Sequence, residues 1–283
     1  MKINYDSKYY PNKLRNISNP PKQIFAVGNI DILNSFSIAI IGSRNCTTYG
    51  VRMTKKFIKE LAKYNINTVS GLAVGIDKCV HVNTIEENVC TIAVLPCGLN
   101  NIYPKEHKTL VEKIINSGGC VITEYENDVS ANSKQFLERN RIITGISDGV
   151  LIVEGGYRSG TSVTAKIAKK QSKKIFCIPS SLENPKGIVP NNLIKNGAIL
   201  VTDETDIIKN YKGLEKQEKK KEKNIICNNK CNKIYSILNE EEMNIDEIIN
   251  KTKLKVDEVN YQLMILELDG YIEQLPGKQY RRR

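Results

Sequence analysis

Seven short β-branched runs between Ser37 and Val201, each separated from the next by residues with helical spacing, constrain this chain more than any other feature. The runs are Ile38 to Ile41, Asn67 to Ser70, Thr91 to Leu95, Cys120 to Thr123, Val150 to Val153, Lys174 to Ile178 and Ala198 to Val201. A strand with one wet face alternates apolar and polar residues. These runs do not alternate, as expected when helices bury both faces of a parallel sheet. Helices are predicted over Val51 to Lys63, Gly75 to Glu87, Lys105 to Asn116, Phe136 to Ser147, Thr161 to Lys170 and Asn191 to Asn196. The pattern predicts an α/β fold with a doubly wound, mostly parallel sheet.

A smaller unit follows. Tyr211 to Lys223 (YKGLEKQEKKKEK) is charged and lacks apolar periodicity, which predicts a linker. Beyond it, Asn232 to Asn239 is helical, Asn244 and Asp246 offer caps for Glu247 to Lys251, and Val256 to Asp269 repeats Val259, Leu263 and Leu266 at helical spacing. Gly270 ends that helix, and Tyr271 to Leu275, Pro276-Gly277 and Lys278 to Arg281 read as strand, turn and strand. Three helices and a terminal hairpin make a winged helix. The predicted organisation is a lead-in over 1–36, the α/β domain over 37–211, a charged linker over 212–226 and the winged-helix domain over 227–283.

At 283 residues, 40% hydrophobic and 26% charged, the chain has enough apolar material for a core, which excludes disorder of the whole. No run approaches the roughly 18 to 20 apolar residues of a membrane span, and the first residues lack a signal-peptide apolar stretch. A soluble, cytoplasmic protein is expected. The eight cysteines are scattered and read as reduced, buried thiols. Only Cys227 and Cys231 are close together, and a lone C-x3-C without a second pair is not a tetrahedral zinc set. Only two histidines occur, His81 and His107, so neither a metal nor a cofactor is expected. The formal charge of +11 is unevenly placed: residues 1–211 hold 27 basic against 18 acidic residues, net +9, and residues 212–283 hold 15 against 13, net +2. A basic core suits nucleic acid, although lysine-rich faces also serve simply as solvated surface.

In open α/β sheets ligands bind beyond the carboxyl ends of the strands, where helix N-termini present free N–H groups. Three loops occupy such positions. The first strand runs into Gly42-Ser43-Arg44, the second into Ser70-Gly71 and on to Gly75-Ile76-Asp77, and the fifth into Glu154-Gly155-Gly156-Tyr157-Arg158-Ser159-Gly160-Thr161. Their glycines allow backbone to approach an anion closely, and Ser43, Ser70, Ser159 and Thr161 add hydroxyls. None is a dinucleotide fingerprint or a Walker loop, and each alone is also compatible with an ordinary strand-to-helix turn. Three on one edge suggest an extended phosphate site. The fourth helix adds Phe136, Arg139 and Arg141, guanidiniums for phosphate and an aromatic for base stacking, or alternatively a core Phe with surface arginines. Asp77 and His81, four residues apart, read as a structural contact on one helix face. Glu154 serves either as an acid or as the anchor of its glycine loop. No catalytic constellation emerges, since no nucleophile elbow accompanies Asp77 and His81.

Taken in order, the motifs resemble the DprA/Smf family of bacterial DNA-processing proteins. They are YYPNKL at Tyr9 to Leu14, IIGSR at Ile40 to Arg44, SGLAVGID at Ser70 to Asp77, TIAVLPCGLNNIYP at Thr91 to Pro104, TEY at Thr123 to Tyr125, FLERNRII at Phe136 to Ile143, SGTSVTA at Ser159 to Ala165, LIKNGA at Leu193 to Ala198 and LELDGYIEQLPGKQYRRR at Leu266 to Arg283. The resemblance implies a Rossmann-like core that binds single-stranded DNA, forms a homodimer and loads the RecA recombinase on incoming DNA during natural transformation, without turnover of its own. Carried over by motif, Gly42, Ser43, Arg44, Ser70, Gly71, Phe136, Arg139, Arg141, Ser159, Gly160 and Thr161 would line the DNA groove. The chain departs from the family in having Pro179-Ser180 where Pro-Gly is usual, a longer Gly187 to Asn191 segment, and Val74 where a basic residue is common. A lead-in of about 36 residues also leaves no room for the helical domain many members carry.

Two other readings compete. The loop from Gly155 to Thr161 is faintly similar to that of nucleotide phosphoribohydrolases of the lysine-decarboxylase-like type, in which case Glu154 and Arg139 would be catalytic. The winged helix alone suggests a transcription regulator. Its recognition helix opposes this, because Val256 to Asp269 contains no Lys or Arg and carries Asp257, Glu258, Glu267 and Asp269, which repel duplex phosphates. That module is expected to contact protein or its own core, or to touch DNA only through Lys278 and Arg281-Arg282-Arg283.

Overall fold

The computed structural model describes residues 1–157, 159–216, 232–238, 242–268 and 271–282. The chain divides into two compact units, Met1–Glu218 and Lys219–Arg283. In the first, strands β1 (Lys2–Asn4), β2 (Gln23–Gly28), β3 (Ser37–Ile41), β4 (Asn67–Ser70), β5 (Thr91–Val94), β6 (Cys120–Thr123), β7 (Gly149–Ile152), β8 (Lys174–Cys177) and β9 (Ile199–Leu200) form one sheet in the order β1-β2-β6-β5-β4-β3-β7-β8-β9. All seven strand runs are present, displaced by a residue at most at either end.

The lead-in differs from expectation. It supplies β1 and β2, which pair antiparallel with each other, and β2 pairs antiparallel with β6. The sheet thus has nine strands, with seven parallel strands bordered by this antiparallel ribbon. Between the two lead-in strands lies α1 (Asn12–Arg15). Its Leu14, together with Ile17, packs where a Cβ on Gly145 would stand 3.0 Å away, so that glycine makes room for the lead-in. Tyr10 is fully buried and donates its hydroxyl to the Pro21 carbonyl at 2.7 Å.

Seven further helices complete the unit: α2 (Thr48–Ala62), α3 (Ile76–Glu86), α4 (Lys108–Asn116), α5 (Ser133–Ile146), α6 (Gly160–Lys170), α7 (Ile188–Lys195) and α8 (Thr205–Ile208). Alternate residues of β3 show the two buried faces. Ile38 and Ile40 pack with Phe57, Ile58 and Leu61 of α2 and Val80 of α3. Ala39 and Ile41 pack with Ile142, Ile143 and Ile146 of α5 and with Ala165 and Ala168 of α6. At about 25 cal/mol per Å² of buried apolar surface, sandwiching the sheet in this way is its main source of stability. The strand order reverses between β3 and β7, so the loops after these two strands part and leave a crevice at the carboxyl edge.

In the second unit α9 (Asn232–Ile237), α10 (Ile245–Thr252) and α11 (Val256–Leu268) accompany a sheet in the order β10-β12-β11, formed by β10 (Met243–Asn244), β11 (Ile272–Leu275) and β12 (Gln279–Arg282). Asn244 and Glu247 form a capping box on α10, and Ile248, Val259, Leu263 and Leu266 join Ile272 and Tyr280 in a separate core. This is the winged helix expected from the sequence, with the two-residue β10 added. Arg158, Cys227, Cys231, Asp269, Gly270 and Arg283, and most of the expected linker, lie outside the described residues. No helix among the described residues is long and apolar enough to cross a membrane.

Candidate nucleic-acid interface

The crevice between the β3 and β7 loops holds a cavity of about 640 Å³. Its first wall is the turn after β3. A Cβ on Gly42 would stand 2.6 Å from Ile76, and one on Gly75, whose φ is +81°, would stand 2.4 Å from the carbonyls of Ser43 and Arg44. Glycine at both positions lets the N-terminus of α3 press against this turn, where Ile76 N–H donates to Ser43 O at 3.2 Å. Arg44 is thereby held at the mouth, its guanidinium 4.6 Å from the centre of the Phe136 ring. The second wall is the N-terminus of α6, with Ser159, Gly160 and Thr161. The Ser159 hydroxyl is buried and has no hydrogen-bond partner among the described residues. A buried hydroxyl without a partner beside free helix N–H groups suits an anionic oxygen.

Glu154 ties the walls together. It is fully buried and accepts from the Thr47 N–H at 2.9 Å and from the Thr47 hydroxyl, while Gly50 leaves the space its carboxylate fills. Glu154 therefore anchors the loop and contributes no surface to the cavity. The hydrolase reading, which needs it as an acid facing substrate, loses that residue.

The third wall is α5, started by a capping box between Asn132 and Gln135. Phe136, Arg139 and Asn140 share one helical face, at spacings of three and four, and all line the cavity. Arg139 is not a free cation. It is 3% exposed and donates to the carbonyls of Gly71, at 2.5 Å, and Val94, with Nε 3.3 Å from Asn140 Oδ1. Burial lowers its pKa to about 10, so it remains charged at neutral pH. Asp77 lines the floor beside it. Burial raises its carboxyl above the usual range, against the opposing pull of Arg139.

Of the residues expected at the groove, Gly42, Ser43, Arg44, Phe136, Arg139, Ser159, Gly160 and Thr161 converge on this cavity. Ser70 and Gly71 do not line it. Ser70 is buried and donates to Ile40 O at 2.8 Å, and a Cβ on Gly71 would collide with the Arg139 guanidinium, so both support the floor from below. Arg141 points elsewhere. Two residues from Arg139 it lies on the opposite side of α5 and pairs with Glu124 at 2.6 Å. The expected Asp77–His81 contact is also corrected: His81 Nδ1 bonds the Thr91 hydroxyl at 2.8 Å, and Asp77 accepts from Ala73 N–H at 3.4 Å. Burial lowers the His81 pKa to about 3, leaving the ring neutral.

Sequence reasoning missed Asn45, Tyr103, Ser133 and Lys186, which also line the cavity. Lys186 had a legible signal, a basic residue in the loop that follows β8 at the same carboxyl edge. Arg44, Arg139 and Lys186 against Asp77 leave the cavity net cationic. Among the described residues no group of three or more His, Cys, Asp or Glu could hold a metal ion. The six described cysteines are free, and burial raises every one of their thiol pKa values, to about 12 for Cys120 and Cys177. In the winged helix, Arg281 pairs with Glu273 at 2.6 Å, and the Arg282 guanidinium lies 4.1 Å over the Tyr235 ring and donates to the Tyr235 carbonyl. Both of these expected DNA contacts are engaged within their own unit.

Comparison with known proteins agrees with this architecture. The model of the family DNA recombination-mediator protein A matches residues 2–212, and that of the DprA winged helix domain matches residues 230–278. Protein Smf of Escherichia coli is 36% identical over 285 residues, covering 98% of this chain and 76% of that protein. DNA processing protein DprA of Bacillus subtilis is 35% identical over 206 residues, covering 72% of this chain and 69% of that one. Among solved structures, Streptococcus pneumoniae DprA superposes with a TM-score of 0.71 at 33% identity, covering 75% of this chain and 74% of that one. DNA processing protein A of Helicobacter pylori, whose structure describes that protein's single-stranded DNA binding mode, gives 0.65 at 32% identity, covering 71% and 91%. With a Rossmann-like core, a winged helix and motifs matched along nearly its whole length, the chain belongs to the DprA/Smf family of DNA-processing proteins.

Proposed function

We propose that this protein is a single-stranded DNA-binding recombination mediator whose strand lies along the crevice between the β3 and β7 loops. The observation that carries the reading is the convergence of Arg44, the partnerless Ser159 hydroxyl and the α6 N-terminus around one cavity edged by Phe136. Free N–H groups, a hydroxyl and a guanidinium suit successive phosphates, and a half-buried aromatic capped by arginine suits base stacking. Family membership supports the remainder: the protein acts without turnover in the cytoplasm as a homodimer, protects incoming DNA and hands it to RecA during natural transformation.

Arg44→Ala tests the groove. Arg44 is exposed, so its removal is expected to leave the melting temperature within a few degrees while lowering affinity for an oligothymidylate at least severalfold. Wild-type affinity should fall steeply with salt. Unchanged affinity in the folded variant removes Arg44 from the groove. Release of base from a nucleoside monophosphate restores the hydrolase reading.

A further inference from the structure

The crevice does not end at Phe136. Three adjoining cavities, of about 640, 370 and 590 Å³, run side by side along this edge, and Tyr103 lines all three. The first and second share Arg44 and Phe136 as well, and the second and third share Lys105. The Tyr103 ring is half exposed and meets Phe136 edge to face, with centroids 5.6 Å apart and planes 79° apart. The two rings thus form a corner between the compartments. The third cavity is as large as an ordinary small-ligand site of roughly 300–1,000 Å³. Lys105 and Lys108, both exposed, line it, and neither has an ion pair among the described residues.

The charge pattern points to an anionic occupant. Among the described residues no carboxylate lines the third cavity, and the nearby Asp128 is held by Asn100 Nδ2 at 2.7 Å. Glu106 lines the middle compartment and, with the buried Asp77 on the floor of the first, supplies the acidic groups along the described track. Lys105 opens the 3-10 turn Lys105–His107 and Lys108 the helix α4 that follows it, three residues apart, a spacing that brings side chains to one face. An aromatic wall followed by paired ammonium groups repeats the chemistry of Phe136 followed by Arg44.

We propose that the third cavity is a second nucleotide subsite for the same strand, with a base stacked on Tyr103 and its phosphate on Lys105 and Lys108. This rests on the single-strand reading of the first cavity and extends it. The track turns at the Phe136–Tyr103 corner, and a short oligomer fills the first compartment alone.

The test is fluorescence anisotropy of the full chain with labelled oligothymidylates of about four and about twelve nucleotides, within the site sizes typical of single-strand binders. The double variant Lys105→Ala/Lys108→Ala is expected to weaken the longer oligomer at least about fivefold and to leave the shorter within about twofold, whereas Tyr103→Ala, whose ring also lines the first cavity, should weaken both and the longer more. Tyr103→Phe keeps the ring and should retain wild-type affinity for both. The lysines are exposed, so the double variant should melt like the wild type. Equal losses at both lengths, or none at either, overturn the second subsite while leaving the Arg44 groove standing. If the wild type binds neither oligomer, the single-strand reading itself fails and the subsite with it.

Discussion

Replacing Arg139 by Met separates a structural role for this arginine from a direct grip on DNA. The substitution keeps most of the side-chain volume and removes every donor. The carbonyls of Gly71 and Val94 then lose a charged partner, and Asp77, already buried with a raised carboxyl pKa, loses the cation that opposes that rise. Leaving the two carbonyls and the buried Asp77 without their cation is comparable to removing one member of a buried ion pair, about 3–5 kcal/mol. At about 2–4 °C per kcal/mol for a unit of this size, the transition should fall by roughly 6–20 °C at neutral pH. The loss should also depend on pH. A carboxyl whose pKa is raised in the folded state stabilises folding fully below its unfolded value, near 4, and that contribution disappears as pH rises through the folded pKa. Without Arg139 the folded pKa of Asp77 climbs further, so the variant's melting temperature should decline from about pH 4 upward and its gap to the wild type should narrow in acid. Adding Asp77→Asn should recover part of the loss and flatten the pH dependence. Scanning calorimetry of the full chain across a pH series reads all three. A variant that melts within about 2 °C of the wild type at pH 7 yet loses oligonucleotide affinity would show the buried assignment to be wrong.

Two glycines make an opposed pair. Gly75→Ala places a Cβ against the Ser43 and Arg44 carbonyls at a positive φ, so it should cost at least about 2 kcal/mol and abolish binding by displacing Arg44, read as a lower melting temperature together with lost affinity. Gly160→Ala meets nothing within 4 Å at the first turn of α6, so it should leave stability unchanged or raise it by up to about 1 kcal/mol, while a Cβ at the phosphate approach weakens binding severalfold. A stable Gly160→Ala protein with wild-type affinity would place the strand away from the α6 N-terminus. Deleting residues 224–283 should keep oligonucleotide affinity within about tenfold, or 1.4 kcal/mol, since Arg281 and Arg282 are already engaged with Glu273 and Tyr235; a larger loss means that the winged helix shares the strand.

The central strands were legible because burial on both faces leaves a continuous apolar run, a signal contained within four or five residues. The lead-in strands were not, because β2 owes its place to long-range antiparallel pairing with β6 and to room that Gly145 leaves for Leu14 and Ile17. The site divides along the same line. Loops after β3 and β7 could be placed from order alone, since a doubly wound sheet opens where its strand order reverses. Side-chain direction within a helix is a matter of phase. Arg139 and Arg141 are chemically equivalent in the run Arg-Asn-Arg, yet a separation of two residues turns them to opposite sides, one to Gly71 and the other to Glu124. The same rule keeps Phe136 and Asn140 on the cavity side with Arg139. It fails for Asp77 and His81, where four-residue spacing made contact possible but His81 turns to Thr91 on the neighbouring strand. Tyr103 carried no local signal at all, because what makes it a wall is Phe136, which only the fold brings to its edge. Motif order therefore suffices to place the loops, whereas the cations available to a phosphate are identified only once each guanidinium's carbonyl and carboxylate partners are known.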